Sequence, residues 1–439
     1  MKDKVHVVGA GLVGSLLALR LKQKGFDVTV FEKRSDPRKV GAAGGRSINL
    51  ALSRRGILPL QEAGIFDAIA PYLIPMHGRM MHDTEGNLTY QPYGKEGQYI
   101  NSVSRAQLNQ LLIEEAEKSG VEVIFDHKCE QVDFSESTLH FQSGKSVTSD
   151  AIIGTDGAFS AIRKALQNTD RFNFSQHYIE HGYKELSMEP INGDFGLEPN
   201  YLHIWPRGNF MLIALPNFDK TFTCTLFFPF EGSPSFSELT TKAAVSEFFH
   251  TYFKDITHLI PDLADQFMDN PTSSLVTTKC APWNRDRTIL LGDAAHAIVP
   301  FYGQGMNSGF EDVNLFTKMG EQLQWKWDTL LPEFSSSRKK DADAISELAL
   351  HNFIEMRDHV GDPLFLKRKE LEGRLQEKYP EEWIPLYSMV TFSDLPYSEA
   401  LRLGKIQSKI MKEVLNDPKG SQVNLAEVIK KFNTLKKAY

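Results

Sequence analysis

The chain is poor in cysteine, in long apolar runs and in surplus positive charge, and each scarcity narrows its class. Of 439 residues only three are cysteine: Cys129, Cys224 and Cys280. They stand far apart, without the paired spacing of a zinc site, and read as buried free thiols in a reducing compartment. No apolar stretch approaches the roughly 18 residues of a membrane span. Met1-Lys2-Asp3-Lys4 runs straight into a strand, so no signal peptide is expected. These features predict a cytoplasmic protein. A formal charge of −7, from 49 basic and 56 acidic side chains, disfavours nucleic acid and anionic membrane as main partners, since both select basic surfaces. The remainder is ordinary for a globular chain, 41% hydrophobic and 24% charged. It is long enough for two or three packed domains.

Against this background two glycine-rich segments stand out, almost three hundred residues apart. The first is Val7-Val8-Gly9-Ala10-Gly11-Leu12-Val13-Gly14, between an apolar strand at 4–8 and a helix at 15–24. Gly9 permits the tight turn, Gly11 lets a pyrophosphate approach the backbone, and Gly14 allows close helix–strand packing. The helix start then offers free N–H groups and a positive dipole to phosphate. A second strand, 27–32, ends on Phe31 and Glu32, where a carboxylate can accept ribose hydroxyls. Lys33 and Arg34 follow and read as contacts to adenosine or solvent. The second segment is Gly292-Asp293-Ala294-Ala295-His296, followed by Pro300-Phe301-Tyr302-Gly303-Gln304-Gly305-Met306-Asn307. Asp293 opens a helix after a buried strand and can accept a ribityl hydroxyl. Gly305, Met306 and Asn307 open another, so their N–H groups can face developing negative charge. A cofactor gripped at both ends suits FAD better than an exchangeable NAD. Between the two lies Gly154-Thr155-Asp156-Gly157, where Asp156 is either a cofactor contact or a helix N-cap. His296, one turn past Asp293, reads as a hydrogen-bonded structural histidine.

The rest of the chain is patterned to match. Helix is expected over 53–70 and 104–119, and strands over 121–125, 139–141 and 151–154. Residues 71–98 are turn-rich, and 37–45 form a loop. From 178 to 230 the period is two, which predicts an antiparallel sheet. Beyond about 308 the chain reads as helix. This gives an α/β protein with a Rossmann-like FAD-binding domain in three pieces (1–70, 100–177 and 272–330). An antiparallel-sheet substrate domain takes 71–99 and 178–271. A helical C-terminal region spans 331–439.

The three motifs in this order resemble the FAD-dependent aromatic hydroxylases. Further segments narrow the resemblance: Gly45-Arg46-Ser47-Ile48-Asn49-Leu50-Ala51-Leu52-Ser53, Arg79-Met80-Met81-His82, Gln91-Pro92-Tyr93-Gly94 and Ser102-Val103-Ser104-Arg105. In the C-terminal part are Asn352-Phe353-Ile354-Glu355-Met356-Arg357 and Ile384-Pro385-Leu386-Tyr387. Together they resemble the kynurenine 3-monooxygenase family over nearly the whole chain. The resemblance implies tightly bound FAD, transient NADPH, and hydroxylation of L-kynurenine by O2 through a flavin C4a-hydroperoxide, in tryptophan degradation or quinolinate and NAD synthesis. It implies no metal, and a monomer or homodimer. By the same resemblance Arg79 and Tyr93 hold the amino-acid carboxylate, Asn352 and Tyr387 are further substrate contacts, and Phe301 and Tyr302 flank the flavin. Arg105 and the Cys129 backbone contact FAD, and Val13 and Ala51 join that set. Another anthranilate-like or phenolic acid, or a flavoprotein that does not hydroxylate, are the alternatives. The polar, lysine-rich 401–439, broken by Asp417-Pro418-Lys419-Gly420, departs from members with a C-terminal membrane anchor. A soluble bacterial-type member is expected.

Overall fold

The computed structural model describes residues 3–40, 49–355, 363–416 and 423–438. The expected contacts or turns at Gly45–Ile48, Met356-Arg357 and Asp417–Gly420 lie outside them.

The nucleotide-binding layer is a six-stranded sheet in the order Asn284–Arg285, Thr288–Leu290, Ala151–Gly154, Lys4–Val8, Asp27–Phe31, Glu122–Ile124. All neighbours are parallel except the first pair. Strands in such a sheet are covered on both faces and so read as unbroken apolar runs; Val5, Val7, Ile152, Ile153, Ile289 and Leu290 are fully buried. The helices Leu12–Gln23, Arg105–Lys118 and Gly305–Gln322 close round this core. Gly309 brings the last of these against Val13, where an added Cβ would sit 2.6 Å from the valine side chain. The helix expected over 53–70 is broken. It runs Arg54–Glu62 and resumes at Phe66–Ile69, with Gly64 at φ +72° between them.

The second layer is a seven-stranded sheet: Ser273–Ala281, Asn173–Met188, Phe222–Pro229, Met211–Pro216, Tyr201–Pro206, Gly78–His82, Leu88–Pro92. It is not wholly antiparallel, because Gly78–His82 pairs with Tyr201–Pro206 in parallel. The two strands lie more than a hundred residues apart, and only a long connection permits a parallel pair. The strand Asn173–Met188 runs across the boundary expected at 177/178, and Ser273–Ala281 pairs with it. Alternation sorts the side chains. Trp205, Leu212, Ala214, Cys224, Leu226 and Phe228 pack on the helices Lys242–Tyr252 and Leu263–Asp269. Leu202, Met211, Ile213, Leu215 and Phe227 point the other way, into a cavity.

The C-terminal region is helical: Trp327–Ile354, Pro363–Lys378, Leu386–Phe392, Tyr397–Leu415 and Leu425–Ala438. Its core, with Ile345, Leu348, Trp383, Val390, Tyr397 and Ile410, is continuous with the cavity face of the large sheet. Among the described residues no helix is long and apolar enough to cross a membrane.

Candidate active site

One cavity of about 430 Å³ runs from the strand ends of the first sheet to the inner face of the second, a size common for small-molecule sites. Its inner end is built from backbone. Gly9 adopts φ +107°, and a Cβ there would lie 2.7 Å from the Thr155 carbonyl oxygen, so only glycine makes this turn. Over Gly11 there is no atom within 4 Å of a would-be Cβ, which leaves its backbone open to the cavity. Gly14 does not line the wall. It packs the first helix onto the strand, and a Cβ would fall 1.9 Å from the Gly9 carbonyl oxygen. Thr155, to which the sequence assigned no role, sets its hydroxyl 3.0 Å from both the Val8 and Gly9 carbonyls and locks the turn. Val13 lines the wall beside Gly11 and abuts Gly292.

From there the wall passes Phe31, Glu32, Lys33, Arg34, His127, Lys128 and Cys129. The Glu32 carboxylate accepts from the N–H groups of Ala10 (2.8 Å) and Arg34 (3.0 Å), which ties the strand end to the glycine turn. Burial pushes the Cys129 thiol up to about 12, so it serves as packing. Asp156 lies just before the helix Ala161–Leu166 but is not its N-cap; Ser160 takes that place, its hydroxyl accepting from the Arg163 N–H at 2.9 Å. One Asp156 carboxylate oxygen accepts from the Ala161 N–H at 2.6 Å, at the start of that helix. The other is buried without a hydrogen-bond partner among the described residues, and burial raises this carboxyl's pKa. A ligand donor would satisfy it. Ala51, Arg105, Asp293, Gly305 and Met306 complete this half. The helix Gly305–Gln322 starts here with N–H groups that have no intrahelical acceptor. Backbone open over a glycine turn, helix starts and an orphaned carboxylate oxygen together fit a dinucleotide.

Asn307 was expected to meet the cofactor at the helix start. Its side chain lies behind the wall, accepting from the Ser53 N–H (2.9 Å) and donating to the Ala51 and Gly303 carbonyls (2.8 and 2.6 Å). Its amide fixes the loop that forms the wall, and only its helix-start N–H is left to face a ligand.

The outer half is built from side chains. Tyr387 stacks with both Tyr93 and Tyr302, the ring centres 5.5 Å apart and the planes nearly parallel in each pair. The Arg79 guanidinium lies 4.9 Å from the Tyr387 ring and 5.5 Å from that of Tyr93, within cation–π range. Neither Arg79 Nε nor the Tyr93 hydroxyl has a hydrogen-bond partner among the described residues. Burial opposes the Arg79 charge, yet its pKa stays above the ordinary value, so the guanidinium is a cation. Burial raises all three tyrosines, so they stay neutral. A fixed cation among neutral rings, with unused donors, is a receptor for an anion. Beside it Leu202, Met211, Ile213, Leu215, Phe227, Ile298 and Phe301 make an apolar wall. None of the first six was singled out from the sequence. The period-two strands were visible, but not which face would meet the cavity.

Asn352 was expected as a substrate contact. It does not line the cavity. Its amide donates to the Phe301 carbonyl at 2.7 Å, and Phe353 stacks on the Phe301 ring at 4.1 Å. Asn352 thus bears on the chamber through Phe301. His296, as expected, is structural: its Nε2 meets Asp312 at 2.6 Å. Among the described residues no group of three or more His, Cys, Asp or Glu side chains could hold a metal ion.

The family model described as FAD binding domain matches residues 2–349. Kynurenine 3-monooxygenase of Flavobacterium johnsoniae is 49% identical over 422 residues, covering 94% of each chain. This chain belongs to the kynurenine 3-monooxygenase family. The likeness extends to the enzymes of that name from Dictyostelium discoideum (45% identity, 94% of each chain) and Sus scrofa (45%, 94% of this chain and 89% of the relative). Among solved structures, the tetrameric form of 2-methyl-3-hydroxypyridine-5-carboxylic acid oxygenase superposes with a TM-score of 0.69 at 20% identity, over 82% of this chain and 94% of that one. HpxO of Klebsiella pneumoniae complexed with FAD gives 0.69 at 20%, over 86% and 96%. At such identity these two speak for the fold alone. A kynurenine 3-monooxygenase family member with this domain is an FAD-binding oxidoreductase.

Proposed function

We propose that this family member hydroxylates L-kynurenine at ring carbon 3: L-kynurenine, NADPH, O2 and a proton give 3-hydroxy-L-kynurenine, NADP+ and water. The observation that carries this reading is the Arg79–Tyr93–Tyr387–Tyr302 cluster. It is a half-buried cation whose Nε, like the Tyr93 hydroxyl, has no partner among the described residues, set in a chamber continuous with the dinucleotide cleft and walled by apolar side chains. The amino-acid carboxylate is received by Arg79 and Tyr93. The aromatic amine ring then lies along Met211, Ile213, Leu215, Phe227 and Phe301, which exclude water from the reacting carbon.

FAD is held by the Gly9–Val13 turn, Phe31, Glu32, Lys33, Arg34, Ala51, Arg105, the Cys129 backbone, Asp156, Asp293 and the start of the helix at Gly305-Met306. When bound and reduced by NADPH it supplies the activated oxygen. The ring is already electron-rich through its amine, so the protein supplies orientation and dryness rather than a strong base. Asn352 fixes Phe301, and Asn307 fixes the loop against Ala51.

The test is NADPH oxidation by the FAD-loaded protein with and without L-kynurenine, with product read by mass spectrometry. Strong stimulation and a product heavier by one oxygen are expected. Stimulation that yields only H2O2 would make L-kynurenine a mimic of another anthranilate-like acid. No stimulation would overturn the reading.

A further inference from the structure

Beneath the cavity, and outside its lining, lies a chain of buried ions. Arg55, on the helix Arg54–Glu62, is almost fully buried at 2% exposure. Its guanidinium donates from Nε to the Val390 carbonyl at 2.8 Å, and from a terminal nitrogen to the carbonyls of Leu395 and, at 3.5 Å, Met389. The other terminal nitrogen pairs with Glu311, and the guanidinium lies 4.1 Å from the ring centre of Tyr397. Met389 and Val390 end the seven-residue helix Leu386–Phe392, where carbonyls have no intrahelical donors. That short helix carries Tyr387. Arg55 therefore caps the element that places the middle ring of the tyrosine stack.

The other end of the chain reaches the dinucleotide half. Glu311 also accepts from Arg338 at 2.7 Å, Arg338 donates to Asp312 at 2.8 Å, and Asp312 accepts from the Gly292 N–H at 3.0 Å. Tyr397 donates to Gln304 at 2.9 Å, directly before the helix start at Gly305. Arg55 itself follows Ser53, whose N–H is held by Asn307. A single guanidinium thus joins the frame of the dinucleotide site to the frame of Tyr387. Its neighbour Arg54 makes an exposed pair with Asp394, a pair of the kind that contributes little.

We propose that Arg55 is a positioning residue for the substrate chamber: it fixes Tyr387 relative to the dinucleotide site, and so governs substrate affinity and the coupling of NADPH oxidation to hydroxylation. This rests on the reading of the chamber given above, and the test separates the two. The variants are Arg55→Lys, which keeps the charge and the Glu311 pair but cannot span three carbonyls, and Arg54→Ala as the exposed control. In the FAD-loaded enzyme, R55K is expected to keep full flavin content while KM for L-kynurenine rises about tenfold and a larger share of NADPH yields H2O2. R54A is expected to match the wild type. Hydrogen–deuterium exchange needs no substrate: amides in 386–395 are expected to exchange at least tenfold faster in R55K, with 4–31 unchanged. Wild-type exchange in 386–395 would overturn the proposal whatever the substrate is. Faster exchange with unaltered KM and coupling would also overturn it, provided that the wild type hydroxylates L-kynurenine. Should the wild type not do so, the functional reading fails, and the exchange result alone decides on Arg55.

Discussion

The two halves of the cavity are made from different materials. The inner half is framed by peptide: a glycine turn, the helix starts at Leu12, Arg105, Ala161, Asp293 and Gly305, and the Glu32 carboxylate, both of whose oxygens accept from backbone N–H groups. The outer half presents side chains: one guanidinium, three stacked tyrosines and an apolar wall drawn from four elements of the large sheet and its surroundings. Peptide dipoles suit a phosphate-bearing cofactor that is the same in every turnover. Side chains suit a substrate that must be told from its relatives, since each can be exchanged without refolding the site. The difference predicts opposite mutational behaviour. Changes in the inner half should act through backbone space and be all-or-none in flavin content. Changes in the outer half should be graded and leave the flavin in place.

The sharpest break is Gly14→Ala. A Cβ at Gly14 would meet the Gly9 carbonyl oxygen at 1.9 Å and the Thr155 hydroxyl at 2.5 Å. The helix must then move off the strand, with an overpacking cost of about 1–3 kcal/mol and the loss of the N–H geometry. The purified variant is expected to be colourless, with flavin absorbance below about a tenth of wild type, because anion binding at a helix start depends on that geometry. A yellow G14A of normal flavin content would remove the basis of the comparison.

Next is Asp312→Asn. The carboxylate is fully buried and receives Gly292 N–H, His296 and Arg338. Burial raises its pKa, but His296 and Arg338 outweigh burial and hold it below the ordinary value. Removing one partner of such a buried cluster costs roughly 3–5 kcal/mol, read as a shifted urea midpoint at pH 7. The pH dependence follows from the sign. A carboxyl depressed in the folded state stabilises fully above its unfolded value, about 3.9, and this is lost as pH falls through the folded value. The gap between wild type and D312N should therefore be constant from pH 7 to about 5 and shrink below about 4. A gap that widens on acidification would show that the carboxylate is not held ionised.

How far the sequence revealed these halves follows from the same contrast. Gly9, Gly11 and Gly14 were legible because a phosphate turn needs glycine at fixed, local spacing. Asp293 stood out because it opens a helix just after a strand, whereas Asp156 follows a strand end at Gly154 and precedes a helix that starts only at Ala161. Arg79, Tyr93, Tyr387 and Asn352 obey no spacing rule, since they meet only through folding, and family resemblance alone pointed to them. Asn307 was read as a cofactor contact from its place at a helix start, and Asn352 as a substrate contact from the family resemblance. Their amides instead hold the carbonyls of Ala51, Gly303 and Phe301, a role that local sequence cannot signal. The parallel pairing of Gly78–His82 with Tyr201–Pro206 was likewise invisible, because register between distant strands is decided by tertiary packing.

Arg79→Met tests the outer half. It keeps the length and apolar stem but removes the cation. With charge-assisted hydrogen bonds contributing about 1.5–3 kcal/mol each, KM for L-kynurenine should rise on the order of 100-fold, while flavin content and unfolding midpoint change little. Arg79→Lys should recover only part of that loss, because an ammonium cannot match a carboxylate with a planar fork. An R79M protein that loses flavin would mean the two halves are not separable.

The smallest expected effect bears on the contrast most directly. Cys129 lines the inner half, is 6% exposed, and has its thiol pKa raised to about 12, chiefly by burial. The bond its thiol makes to the Gln131 carbonyl, at 3.5 Å, is weak. If that half works through peptide, the side chain is replaceable. Cys129→Ala should cost about 1 kcal/mol of stability, the scale of a lost methylene-sized group, and should change FAD affinity, measured by fluorescence quenching, by less than about threefold. A much larger loss would place a side-chain contact at Cys129, where only the backbone is expected to meet the cofactor, and the division between a peptide-built cofactor cleft and a side-chain-built substrate chamber would have to be redrawn at that residue.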